Sequence, residues 1–232
     1  MKRRWALLPL LLAATPSLFS QFGGEGEPGR QRQTLRPPEA KPVRLDDGRI
    51  QLGQCLYDPK RSEVSFPAEM NLAVGTLEVL IATPRGRIHE ALLLSDASPY
   101  QVQLMLLLAG ARNDVKAADG QVGQVIDVDV EWRGDDGILR REPVENFLSD
   151  TRRINRSPPR MGFHFTGSEV VEGVLQAEGA GNIALLYNRP DSVLNCADRD
   201  AVKDVIFGAN PRRLKPGLGA GVRVILSLRP LK

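Results

Sequence analysis

The sequence predicts an α+β fold, a mainly antiparallel β-sheet of about nine short strands with one strong buried helix at about residues 99–110. Three observations lead to it. Short apolar–polar alternations, punctuated by turn residues, recur from Ile50 to Leu228. Consecutive alternations are joined by short turns rather than helices, as antiparallel neighbours are. One segment, Tyr100 to Ala109, carries an apolar run too continuous for a strand.

In chain order, Ile50 and Leu52 alternate with polar residues after the Asp47-Gly48 turn. Cys55 to Tyr57 continues that strand or begins another, and Asp58-Pro59-Lys60 breaks the chain. Val64 and Phe66 share one face of the next alternation. Residues 76–83 are rich in β-formers and end at Pro84-Arg85-Gly86, so residues 87–94 read as the returning strand. Ser98 can cap a helix whose first position suits Pro99, because proline's missing N–H costs nothing there. Val102, Leu104, Met105, Leu106, Leu107 and Leu108 make that helix apolar on most sides, which predicts burial under the sheet, and Gly110 can end it. Residues 122–132 form a long strand, turned back at Gly134-Asp135-Asp136-Gly137 into residues 138–141. A second short helix is compatible with residues 144–153, where Val144, Phe147 and Leu148 share a face. Further strands are predicted at residues 162–166, 170–177, 182–187 and 223–228.

The chain divides into a signal peptide (1–20), a Pro/Gly-rich disordered spacer (21–44) and one domain (45–232). Lys2-Arg3-Arg4 followed by the apolar run Trp5 to Ala14 and a small-residue segment has the layout of a secretory signal, which predicts a periplasmic or secreted protein. Ten apolar residues rise about 15 Å as a helix, half a bilayer core, so no stable membrane span is expected once the signal is cleaved. Composition is ordinary for one globular core, with 42% hydrophobic and 25% charged residues among 232. The formal net charge of +3 equals the contribution of residues 2–4, so the remainder is neutral. No basic stripe with interleaved aromatics exists, which argues against nucleic acid as partner. The densest later basic group, Arg152, Arg153, Arg156 and Arg160, reads as a solvated loop or, alternatively, an anion contact.

Phosphate-loop, nucleophile-elbow and zinc-protease motifs are absent, and no cofactor is expected. Asp127, Asp129 and Glu131 alternate with apolar residues and read as the solvent side of a strand, the alternative being a weak divalent-cation site. His89-Glu90 is the most suggestive pair, since a carboxylate can orient an imidazole acting as base or ligand. In the predicted strand, however, the two would point to opposite faces. Asp96 and His164 could join His89 only through tertiary folding, as catalytic or metal-ligating partners. The aromatics of Phe163-His164-Phe165 read as core. Cys55 and Cys196, 141 positions apart, admit one disulfide in an oxidising compartment; the alternative is two unrelated buried thiols.

Several elements together resemble the YdjY-like domain, a family of exported bacterial proteins without an established activity. Phe66-Pro67-Ala68, Asn71, Gly75-Thr76-Leu77-Glu78, Arg87 through Leu93, and Leu106 through Ala111 are similar to its first half. Phe163, Phe165, Thr166-Gly167-Ser168, Leu194-Asn195, Pro216-Gly217 and Arg229-Pro230 are similar to its second. The resemblance spans about residues 48–230 and implies no catalytic set, though His89-Glu90 falls on a recurring element. The functional expectation is therefore a non-catalytic binding or envelope-associated domain, with an envelope or extracellular protein as one partner to consider. The alternatives are a hydrolase-type enzyme or a metal-binding protein using His89 with Glu90, Asp96 or His164.

Overall fold

A computed structural model of the chain describes residues 41–114, 122–154, 156–201, 206–213 and 220–228. The predicted signal and nearly all of the spacer lie outside the described residues. Paired backbone begins at Val43–Arg44, which lies antiparallel to Ile50–Leu52.

Eight strands close into a barrel. They are β1 (Glu63–Met70), β2 (Val79–Ala82), β3 (Ala91–Leu94), β4 (Gln124–Arg133), β5 (Phe163–Phe165), β6 (Asn182–Leu185), β7 (Leu194–Cys196) and β8 (Ala220–Leu228). Around the barrel the order is β1-β8-β4-β5-β7-β6-β2-β3, and β3 returns to β1 through Glu69↔Leu94 and Met70↔Leu93. The β6–β7 and β2–β3 pairs are parallel and the other six antiparallel. The long strands change neighbours midway. One end of β1 pairs with Cys55–Asp58 and the other with β3; one end of β4 pairs with β5 and the other with Leu139–Pro143.

Alternation decides what fills the barrel. Val64, Leu226 and Val128 lie side by side across β1, β8 and β4, and Phe66, Val224 and Val130 form the next row. All six are fully buried. Ile126, Phe163 and Cys196 extend the same face across β4, β5 and β7. An eight-stranded barrel is just wide enough to be filled by such side chains.

The α+β expectation is overturned. The described residues are mostly β, with 42% of them in strands, a closed barrel, and two α-helices of which one is longer than seven residues. The reason is physical: the closing β1–β3 contact joins residues 25 or 23 positions apart, and period-two alternation does not reveal whether a sheet ends in edges or meets itself. The helix α1 forms at Pro99–Leu108 but is small beside the barrel and only half buried. Val102, Met105 and Leu106 face inward, while Leu107 and Leu108 are exposed. α1 lies against Cys55–Asp58, β1 and β6. The segment 144–153 is not an α-helix but a 3-10 turn (Val144–Phe147), a strand (Leu148–Asp150) and a second 3-10 turn (Thr151–Arg153). The second helix, α2, is instead Gln176–Ala180.

A buried carboxylate ties the two helices together. Glu178 Oε2 accepts from the Ser98 hydroxyl at 2.6 Å and from the Tyr100 N–H at 3.1 Å, which places a negative charge at the α1 N-terminus, where backbone N–H groups want acceptors. Arg85 stands 3.3 Å from its other oxygen.

Leu148–Asp150, Phe207–Ala209 and Thr76–Leu77 form a separate three-stranded sheet in that order. Thr76, Gly208 and Ser149 lie in one row across it. Two loop bonds hold its central strand, Ala209 N–H to Gly75 O at 2.9 Å and Asn210 N–H to Phe147 O at 2.9 Å.

Candidate functional site

The residues singled out by sequence do not converge. Ile88–Glu90 is a 3-10 turn, not the start of a strand, so β3 begins only at Ala91. The tighter turn brings His89 Nε2 to 3.6 Å from Glu90 Oε1, contrary to the opposite-face expectation. The pair nevertheless does not enclose a reaction space. The His89 side chain is 74% exposed. Glu90 also answers to Arg87, at 3.5 Å, whose guanidinium bonds Glu78 at 2.5 Å and the Tyr187 hydroxyl and lies over the Tyr187 ring. His89→Ala should therefore leave stability within about 0.5 kcal/mol of wild type in urea unfolding, since it removes only exposed surface.

Asp96 is exposed and lines a cleft of about 240 Å³ with Glu69, Ser95 and Gln54, a set that does not include His89. His164 is fully buried on β5. Its neighbours Phe163 and Phe165 face the interior, so the imidazole lies on the outer face beside Val125 and Asn195. It remains buried because the chain entering β4 crosses it: Nδ1 is 3.0 Å from Gly123 O. At Gly123, φ is +105° and a Cβ would stand 2.2 Å from Phe165 O, a crossing that only glycine permits. Among the described residues no group of three His, Cys, Asp or Glu could hold a metal ion. Cys55 and Cys196 are separate free thiols, both buried. Burial pushes each up to about 12, which makes them inert packing groups, and Cys196 Sγ lies 3.6 Å from Met161 Sδ.

Asp127, Asp129 and Glu131 do alternate outward on β4, but two of them are engaged. Arg141 meets Asp129 at 2.7 Å and Glu63 at 2.8 Å, and Arg160 meets Asp127 at 3.2 Å and Asp129 at 2.8 Å. Of the Arg152–Arg160 group, Arg152 is also held by carboxylates, at 2.8 Å from Asp150, 2.6 Å from Asp198 and 2.7 Å from Asp200.

Glu145 is a buried carboxylate the sequence did not flag. Its Oε1 accepts from Met161 N–H at 3.1 Å and Gly162 N–H at 3.0 Å, while Oε2 has no hydrogen-bond partner. Burial raises its proton affinity, opposed by those N–H bonds and by Arg160. A carboxyl whose folded pKa is raised contributes its full stability below the unfolded value of about 4.5, and loses it as pH rises through the folded value. Glu145→Gln keeps the acceptor and removes the charge. Its stability relative to wild type should therefore increase as pH is raised from 4 to 7, measured by denaturant titration at each pH.

A cleft of ligand size lies elsewhere, over the three-stranded sheet. It encloses about 410 Å³, against about 240, 220 and 140 Å³ for three others among the described residues. Small-molecule sites usually span about 300–1,000 Å³. Thr76, Ser149, Thr151 and Arg212 line it with the Gly208 backbone between them, and Val74 and Pro211 supply apolar wall. Gly208 keeps the floor flat: a Cβ there would meet Gly75 O at 2.9 Å and Ser149 Oγ at 3.1 Å. Arg212 is presented on a turn in which Asn210 Oδ1 accepts its N–H at 3.1 Å. Among the described residues its lining contains no His, Asp, Glu, Lys, Cys or Tyr. None of these described groups therefore stands beside its hydroxyls as a base to make a nucleophile. The lining comes from three separated segments, and no local motif marks it.

No family model matches this chain, and no curated protein or solved structure is significantly similar to it. The YdjY-like resemblance rests on the quoted residues alone. Among the described residues no helix is long and apolar enough to cross a membrane.

Proposed function

We propose that the chain is an exported binding protein without catalytic activity, belonging to the YdjY-like group, whose ligand seat is the cleft over the three-stranded sheet. Export follows from the arrangement of residues 2–20 read above. The observation that carries the binding reading is the cleft's lining: ligand-sized, rich in hydroxyl and backbone groups, with Arg212 but, among the described residues, no general base. Exposed His89 and buried His164 sit in unlike surroundings, which further supports binding over hydrolysis.

The test is native mass spectrometry of the folded protein against a pool of monosaccharides, hydroxy acids and amino acids, together with their methyl glycosides, esters and amides. Bound compounds should be recovered unchanged, and Thr76→Trp, which fills the cleft from an exposed position, should abolish their retention. Compounds retained equally by Thr76→Trp but not by His89→Ala, or recovered hydrolysed, would overturn the proposal in favour of a His89-centred enzyme.

A further inference from the structure

We infer that the cleft takes a polyhydroxylated monoanion, a sugar acid or a similar hydroxy acid; this rests on the binding reading above and deepens it. The argument begins with which way the protons point. Ser149 Oγ donates to Ala209 O at 3.3 Å, and Thr151 Oγ1 donates to Ile206 O at 3.1 Å. Each hydroxyl has one proton and two lone pairs. With the proton held by a backbone carbonyl, each offers the cleft an acceptor, so the matching ligand groups are O–H or N–H donors.

Arg212 supplies the opposite requirement. Its neighbour Arg213 is paired with Glu142 at 3.1 Å, whereas no carboxylate pairs with Arg212 among the described residues. A guanidinium donates five hydrogen bonds and accepts none, and its fork matches a carboxylate. The ligand therefore carries an anionic group as well as donors. An ammonium is the poorer donor, because no carboxylate among the described residues lines the cleft to balance it. Hydroxyls satisfy Ser149 and Thr151 without adding a cation beside Arg212. A volume of about 410 Å³ accommodates a molecule of monosaccharide size with its hydration.

Isothermal titration of the full chain with D-glucuronate and with D-glucose tests this. The expected result is glucuronate bound at least tenfold more tightly than glucose, with Arg212→Ala bringing the two together and Thr76→Trp losing both. Arg212 and Thr76 are both exposed, so neither substitution endangers the fold. Equal affinity for the two sugars in wild type would overturn the anion inference while leaving the cleft as binding site. Glucuronate binding unchanged in both variants would overturn the inference and the cleft reading together. Failure of both sugars to bind would overturn the sugar-acid inference, and retention of other compounds by the wild type but not by Thr76→Trp would then still uphold the cleft.

Discussion

Arg152→Ala is expected to lower stability by about 3 kcal/mol, seen as a fall in Tm of about 6–12 °C for a chain of this size. Arg152 is the common partner of Asp150, Asp198 and Asp200, at 2.8, 2.6 and 2.7 Å, and its guanidinium lies 5.7 Å from the centre of the Phe207 ring. The consequences for the three carboxylates differ. Asp200 is 72% exposed and would simply return to water. Asp150 is fully buried and would be left without that guanidinium. Losing that partner is the main cost of the substitution. The lower part of the range applies because Arg152 itself is one-third exposed, so water screens part of the original attraction. Asp150→Asn in the Arg152→Ala background should recover part of the loss, since an amide oxygen can still accept the residue 152 N–H that now reaches Asp150 Oδ1 at 2.9 Å. The effect also has a pH signature. The Arg152 hydrogen bond holds Asp198 below its usual value of 3.8, so the wild-type advantage is complete above that value and shrinks as pH falls through the folded one.

Phe163→Ala is expected to cost about 3–5 kcal/mol, the range for deleting a buried aromatic ring from a packed core. Phe163 sits on the short strand β5, with Ile126 and Cys196 as its lateral neighbours on the interior face, and it is fully buried. In a closed barrel the surrounding strands are tied on both sides and cannot collapse far into the vacated space. Phe163→Leu, which leaves a smaller void, should cost less than half as much. An open sheet could relax around the gap, and equal small losses for both variants would indicate one. Chemical denaturation of the two variants beside wild type measures the difference.

Local signals in the sequence were legible where they act over a few residues. Ser98 and Pro99 mark the start of α1, where Ser98 Oγ accepts from Gln101 N–H at 3.4 Å. Gly134 to Gly137 makes the turn between β4 and Leu139–Pro143. Phe163–Phe165 and Asn182–Leu185 fall within the strands predicted at residues 162–166 and 182–187, whereas Leu194–Cys196, three residues buried at every position, is too short a run to read as a strand. No strand was predicted over Leu194–Cys196, although β7 lies in the barrel wall. Closure was invisible because it depends on two pairs between β1 and β3. His89-Glu90 attracted attention through residue type alone, and its geometry depends on a 3-10 turn that the preceding Pro84-Arg85-Gly86 did not announce. The cleft was illegible for a different reason. Thr76, Ser149, Thr151 and Arg212 are unremarkable singly, and only the pairing of Phe207–Ala209 between two distant strands brings them together.

The most direct test of the binding account is an amide chemical-shift map of the isotope-labelled protein, recorded with the same pool of monosaccharides, hydroxy acids and amino acids. The account predicts perturbations concentrated on Thr76, Ser149, Gly208 and Arg212, with Ile88–Glu90 unmoved. Perturbations centred on His89 and Glu90, with the three-stranded sheet silent, would contradict it.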